Sequence, residues 1–316
     1  MATQLAIRTE SLTKRFDRHI AVNNVDLSIQ AGEVYGLIGP NGAGKTTLIR
    51  MLATAEAPSR GEIFIGGEQL QRTQSNGRLK RLIGYLPDDF PLYDDLTVWD
   101  YLEYFARLYK IDRSKRTQRI YEILDLVDLG TKRNTKIAGL SRGMKQRLSL
   151  ARTVVHEPLL LLLDEPVSGL DPIARVQFRQ IIKVLQEAGM TVLISSHVLS
   201  DLAELCSSVG VMELGHLVES CKLTDLYEKK GRQQILISTL GDIDLLISEL
   251  KQHFLVEEIT ATNQPQEVKV FFEGTETEAA DLMRHLIMVG IPLRSFYCTQ
   301  EDLETIFLKL GHQQAS

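Results

Sequence analysis

Cysteine is scarce in this chain of 316 residues, which has three: Cys206, Cys221 and Cys298. They are odd in number and widely spread, with no C-x-x-C pair and no zinc spacing, so neither a disulfide framework nor a structural zinc site is expected. Reduced thiols in a cytosolic compartment are the reading. Long apolar runs are also missing. The most apolar stretch, Leu159 to Leu163, is far shorter than the roughly 20 residues that span a bilayer. The start, Met1-Ala2-Thr3-Gln4-Leu5-Ala6-Ile7-Arg8, lacks the basic segment and apolar stretch of a secretory signal. Nor is there an excess of positive charge: 36 Lys and Arg against 41 Asp and Glu leave a net charge of -5. That gives no global attraction to nucleic acid or anionic lipid, and no nucleic-acid partner is expected. A soluble protein follows, in which any membrane work needs a separate spanning partner.

What remains is an ordinary globular composition, 44% hydrophobic and 24% charged, long enough for one large and one small domain or two medium ones. There are no repeats or low-complexity tracts. The first thirty residues alternate in short runs typical of antiparallel strands. Val34 to Ile38 is a continuous apolar run suited to a buried parallel strand, with a helix expected from Thr46 to Ala53. Ile63 to Ile65 reads as another strand. From Leu96 to about Leu129 the period becomes helical, with Thr97 as N-cap ahead of Val98, Tyr101, Leu102, Phe105 and Leu108. A second helix carries Ile120, Ile123, Leu124 and Val127. Leu159 to Leu163 and Thr191 to Ser195 read as buried strands flanking a helix from Ile173 to Glu187. Strands alternating with crossover helices predict a mainly parallel α/β core.

Lys229-Lys230-Gly231 marks the expected boundary, giving domains 1–229 and 230–316. Beyond it the order is strand (Gln234 to Thr239), helix (Ile243 to His253), strand (Leu255 to Thr260), strand (Val268 to Phe272), helix (Glu276 to Met288) and strand (Arg294 to Cys298). Asn263-Gln264-Pro265-Gln266 is a turn between the two middle strands. This β-α-β-β-α-β order is ferredoxin-like, a small α+β domain, followed by a last helix from Asp302 to Leu310.

Gly39-Pro40-Asn41-Gly42-Ala43-Gly44-Lys45-Thr46-Thr47 fits G-x-x-x-x-G-K-[ST] in the strand–loop–helix context a phosphate loop requires. The glycines let backbone N–H groups curl around a phosphate, Lys45 reaches β- and γ-oxygens, and Thr46 offers a hydroxyl to Mg²⁺. Leu160 to Leu163 is an apolar strand ending in Asp164 and Glu165. Asp164 suits binding of a Mg²⁺ water, and Glu165 suits polarising the attacking water. His197 follows the next core strand, where carboxyl ends of parallel strands converge on a ligand. Downstream of the phosphate loop, Leu140-Ser141-Arg142-Gly143-Met144-Lys145-Gln146-Arg147 opens a helix whose first N–H groups can bind an anion held elsewhere.

This ordered set resembles the nucleotide-binding subunit of ABC transporters over about residues 5 to 225. Gly39 to Thr46 matches the Walker A motif, Leu140 to Gln146 the signature, and Leu160 to Glu165 the Walker B strand with its glutamate. Ser168-Gly169-Leu170-Asp171 matches the D-loop and His197 the switch histidine. The resemblance implies a P-loop ABC-type core, a mixed sheet with a helical insert at about 88–150, that binds ATP and Mg²⁺ and hydrolyses ATP. Two subunits would sandwich ATP, as a homodimer or with a related ATPase subunit. Ser141 and Gly143 would then touch the γ-phosphate on the other subunit's Lys45, and Asp171 would link the two sites. Phe16 lies where the family stacks an aromatic ring on adenine; a buried core phenylalanine is the alternative. A separate membrane permease would be the partner, at the cytoplasmic face of the cell membrane.

Two positions depart from the family pattern. Its glutamine after Gly-Tyr-x-Pro is Asp88 here, a Mg²⁺ ligand either directly or through a water. The signature carries Arg142 and Met144 where Leu-Ser-Gly-Gly-Gln is common; Arg142 leaves the serine–phosphate contact open. Residues from Phe90 to Tyr101 are expected to help form a groove for the permease's coupling helix, with an internally packed loop as the alternative. The tail, including Leu303 to Leu310, is similar to accessory domains of ABC-2 exporters, where it could stabilise the dimer or sense a small ligand. Translation-type ABC ATPases carry two cores per chain, and chromosome-maintenance ATPases carry long coiled coils; neither is seen. A soluble ATPase or regulatory module uncoupled from transport is the alternative function.

Overall fold

The computed structural model describes residues 4–71, 76–89, 91–198, 202, 204–225, 233–262 and 264–300. The chain divides into two compact units, Met1–Leu223 and Thr224–Ser316. The expected boundary at Lys229 to Gly231, together with Phe90, Asn263 and the last helix from Asp302 to Leu310, lies outside the described residues.

In the first unit β1 (Leu5–Phe16) pairs antiparallel with both β2 (His19–Val25) and β3 (Ser28–Gln30), as the short alternating runs lead one to expect. Strand β4 (Val34–Ile38) is buried at all five positions and leads through the phosphate loop into α1 (Lys45–Leu52). Strands β5 (Arg60–Ile65) and β6 (Glu68–Gln69) complete the antiparallel sheet through pairing of β5 with β1. A short helix, α2 (Gly77–Arg81), precedes β7 (Ile83–Leu86).

The helical insert follows. Helix α3 (Val98–Leu108) starts where Thr97 Oγ1 accepts a hydrogen bond from the Asp100 N–H, and buries Val98, Tyr101, Leu102, Phe105 and Ala106. That is the stripe its i, i+3, i+4 spacing dictates. Helix α4 (Arg113–Leu126) buries Ile120, Ile123 and Leu124 against it, and α5 (Arg142–Val154) returns the chain to the core. Then come β8 (Leu160–Leu163), α6 (Pro172–Glu187), β9 (Thr191–Ser196), and a hairpin of β10 (Ser208–Glu213) and β11 (His216–Lys222).

The larger sheet runs β11-β10-β4-β9-β8-β7, parallel throughout except for β11. Helix α1 lies between the two sheets, sharing one core with Ile7, Val22, Ile29, Ile63, Leu160, Leu162 and Leu193. Its Leu48, Ile49, Met51 and Leu52 are fully buried. Each contributes about 1.5–3 kcal/mol of transfer free energy, so the phosphate loop is anchored by its helix. Because β4 is central, its carboxyl end meets those of β9, β8 and β7, and the loops at these ends share one edge of the sheet.

In the second unit, β12 (Gln233–Thr239), α7 (Ile243–Gln252), β13 (Val256–Ala261), β14 (Glu267–Phe272), α8 (Glu276–Met288) and β15 (Leu293–Gln300) follow in that order. The sheet order β13-β14-β12-β15, antiparallel throughout, is ferredoxin-like. Leu246 and Leu250 of α7 and Ala279, Leu282 and Leu286 of α8 pack on Ile235, Ile237, Val268 and Val270. A capping box between Thr275 and Glu278 starts α8. Among the described residues no helix is long and apolar enough to cross a membrane.

Candidate functional site

The phosphate loop joins β4 to α1 through Gly44, the N-cap, at φ 103°. A Cβ there would run into the Ala21 carbonyl, so the position requires glycine. No side chain caps α1 and no acidic residue sits in its first turn. Its leading N–H groups and the positive end of its dipole are therefore left for an anion. Lys45 is 5% exposed, and its Nζ donates to the Gly39 carbonyl at 2.6 Å and the Pro40 carbonyl at 3.3 Å. The same ammonium stands 3.4 Å from Glu165 Oε1.

At the end of β8, Asp164 is fully buried and its Oδ1 accepts from Thr46 Oγ1 at 3.2 Å and from Ser195 Oγ at 2.8 Å. Burial pushes its pKa up, the two hydroxyls pull it down, and the charges of Asp88 and Glu165 raise it again. Its second oxygen, Oδ2, is buried without a hydrogen-bond partner. Glu165 follows with φ 48°, in the left-handed region that costs a non-glycine residue about 1–2 kcal/mol. Its N–H donates to Ser195 Oγ at 2.9 Å, which fixes the turn. The carboxylate so aimed lies between Lys45 and His197, whose Nδ1 is 2.8 Å from Oε2. In its Nδ1–H tautomer His197 donates to this carboxylate, and Nε2 is left outside that bond.

A cleft of about 320 Å³ opens above these groups, lined by Asn41, Gly42, Ala43, Gly44, Lys45, Thr46, Thr47, Asp88, Glu165, Phe16, His19 and Ala21. Another, of about 450 Å³ near Pro58 and Gln69, is larger but has no phosphate-loop residue in its lining, so convergence of chemistry decides over volume. Phe16 is 43% exposed in the cleft wall, with Lys14 Nζ 4.7 Å from its ring centroid, so it is not a core residue. Asp88 is exposed and also lines the cleft.

Among the described residues no group of three or more His, Cys, Asp or Glu could hold a metal unaided. The Thr46 hydroxyl, the orphaned Asp164 oxygen and Asp88 are hard oxygen donors near the loop. That donor set fits Mg²⁺, which keeps several waters and shares its coordination with substrate phosphates.

Ser141, Gly143 and Asp171 lie outside the cleft lining. Ser141 is the N-cap of α5, accepting from the Met144 N–H, and Asp171 the N-cap of α6, accepting from the Ala174 N–H at 2.9 Å. A Cβ added at Gly143 would stand 3.0 Å from Ala174 Cβ, so the two helix starts are packed together. One chain thus presents two separate constellations. Two residues of the site carry no signal in the sequence pattern: Ser195, which ties Asp164 to Glu165, and His19, in the cleft wall; Arg142, known from the sequence only as a departure from the signature, binds the Ser168 carbonyl at 3.1 Å.

A phosphate loop facing a strand-end Asp-Glu pair and a histidine defines a nucleoside-triphosphatase centre. The family described as ABC transporter matches residues 22–168. An ABC transporter ATP-binding protein of Bacillus subtilis (strain 168), YxlF, is 36% identical over 305 residues, 96% of this chain and 98% of that one. The bacitracin transport ATP-binding protein BcrA of Bacillus licheniformis is 32% identical, covering 96% of each chain. The structure of cbiO1 from Clostridium perfringens, part of the ABC transporter complex cbiONQ, superposes with a TM-score of 0.65 at 25% identity, over 72% of this chain and 92% of that one. The chain belongs to the ATP-binding subunits of ABC transporters, ATPases coupled to transmembrane transport. The uncoupled alternative is not favoured by these relatives.

Proposed function

We propose that two nucleotide-bound copies of this chain, or one copy with a related ATPase subunit, close face to face on Mg·ATP and drive a membrane permease from its cytoplasmic side. The observation that carries this is the split between the cleft and the Ser141–Asp171 junction. Lys45, Glu165 and His197 converge at the first, whereas two helix N-termini at the second stand apart from it. A second copy turned head to tail brings such a junction to each cleft.

Within the cleft, Gly39 to Thr47 wrap the phosphates with backbone N–H groups, and Lys45 exchanges its loop carbonyls for β- and γ-oxygens. Phe16 stacks on the base. Thr46, Asp164 and Asp88 are the residues that would hold Mg²⁺ and its waters, and the ion would supply neutralisation of phosphate charge. Glu165, aimed by its strained backbone and by His197, takes up hydrogen bonding to the attacking water. Ser141 and Gly143 donate to the γ-phosphate held by the other copy, while Asp171 sits at the seam. A relative named a linearmycin resistance ATP-binding protein, 28% identical over 96% of this chain, fits outward transport, one route by which a transport ATPase confers resistance.

The test is ATP turnover by the full chain in vesicles carrying each candidate permease encoded near it. Glu165→Gln is expected to lower kcat by at least about 100-fold with ATP binding retained. An unchanged rate would remove Glu165 from its role, and turnover indifferent to every neighbouring permease would remove the coupling.

A further inference from the structure

Arg142 occupies a signature position where glycine is common, and the structure gives its side chain a specific partner. It is the first residue of α5, and its Nη2 donates to the Ser168 carbonyl at 3.1 Å. The guanidinium covers Gly169, φ 65°, so closely that a Cβ built there would overlap it. From the other side Arg175 Nε donates to the Leu170 carbonyl at 3.1 Å. Asp171 then closes the segment by capping α6 through the Ala174 N–H, and Ala174 abuts Gly143. The turn from Ser168 to Asp171 is therefore held from α5 by Arg142 and from α6 by Arg175. Its hydrogen bond to the turn means that the charge of Arg142 is engaged within its own chain.

We propose that Arg142 is a positioning residue that locks the Ser168–Asp171 turn to the first turn of α5, so that Ser141 and Asp171 meet a second copy's nucleotide as one unit. The proposal rests on the face-to-face pairing put forward above. In the single chain the contact is exposed and competes with water, so it slows opening of the turn only about two- to fivefold. A second copy covering the junction removes that water and strengthens the charge-assisted bond, which ties the latch to the closed pair.

The experiment uses the full chain in a Glu165→Gln background, with pairing followed by sedimentation across an ATP titration. Arg142→Ala is expected to raise the ATP concentration for half-maximal pairing about five- to tenfold. ATP affinity of the dilute, unpaired chain should move less than about twofold, and Arg142→Lys should recover part of the loss, since an ammonium can still reach one carbonyl. Gly169→Ala displaces the guanidinium, so its cost and that of Arg142→Ala should be non-additive. An unchanged pairing midpoint, an equal loss of affinity in the unpaired chain, or additive costs would each overturn the latch. If the Glu165→Gln parent fails to pair, it is the pairing reading that fails. Amide hydrogen exchange at Ser168 to Asp171 of the single chain then decides: faster exchange in Arg142→Ala supports the latch, and identical exchange overturns it.

Discussion

His197 Nδ1 lies 2.8 Å from Oε2 of Glu165, while the other oxygen of that carboxylate faces Lys45 Nζ at 3.4 Å. The glutamate is thus oriented by one group from the start of α1 and one from the end of β9, on a backbone already held at φ 48°. Removing the imidazole should leave the carboxylate present but free to turn. His197→Ala is expected to lower kcat about 10- to 100-fold with KM for ATP nearly unchanged, read from steady-state turnover. A proportional rise in KM would place the histidine in binding instead.

Phe16 separates stacking from packing. At 43% exposure its truncation should barely alter stability, whereas a core Phe→Ala costs about 3–5 kcal/mol. Phe16→Ala should weaken ATP binding about three- to tenfold, measured by calorimetry, with the melting temperature unmoved. A large drop in melting temperature with intact binding would contradict the stacking role.

Ser195 is fully buried and bonds both Asp164 and the Glu165 N–H. Ser195→Ala removes a hydrogen bond that lowers the Asp164 pKa and leaves a second carboxylate oxygen less satisfied. A loss of about 1–3 kcal/mol in urea unfolding is expected, together with a fall in kcat. Unfolding at the wild-type midpoint would show that the bridge carries no weight.

His156 gives the stability a pH dependence. Its ring stacks on Tyr109 at 3.8 Å, and burial lowers its pKa from 6.5 to about 4. Between those values the unfolded chain binds a proton that the native chain refuses. Stability is therefore complete above pH about 6.5 and falls as pH drops toward about 4, by on the order of 2–3 kcal/mol. His156→Phe keeps an aromatic stack without the proton. Its unfolding free energy should vary less across this window, and a slope equal to wild type would assign the acid sensitivity elsewhere.

Local sequence made the phosphate loop, the Leu160 to Glu165 strand and the order of the second unit legible, because each is written in contiguous periodicity or in turn residues. The bridge from Ser195 to Asp164 and Glu165 was not legible, since it joins two strand ends about thirty residues apart that only the parallel sheet brings together. The β10–β11 hairpin was missed because Leu214 and Gly215 form its turn with φ 47° and 86°. A leucine in that conformation gives none of the Asn-Gly signal that marks such turns. For Arg142 the sequence registered only a departure from the signature; its contact with the Ser168 carbonyl depends on how α5 meets the turn before α6. Asp171 reads as a seam residue by family pattern, whereas in the single chain its carboxylate caps a helix.

The most direct measurement is the sedimentation of purified Glu165→Gln chain with saturating Mg·ATP, with Mg·ADP, and without nucleotide. Doubling of the chain mass with ATP alone is the predicted result. Persistence of the single chain under ATP, even beside its permease in vesicles, would contradict the account.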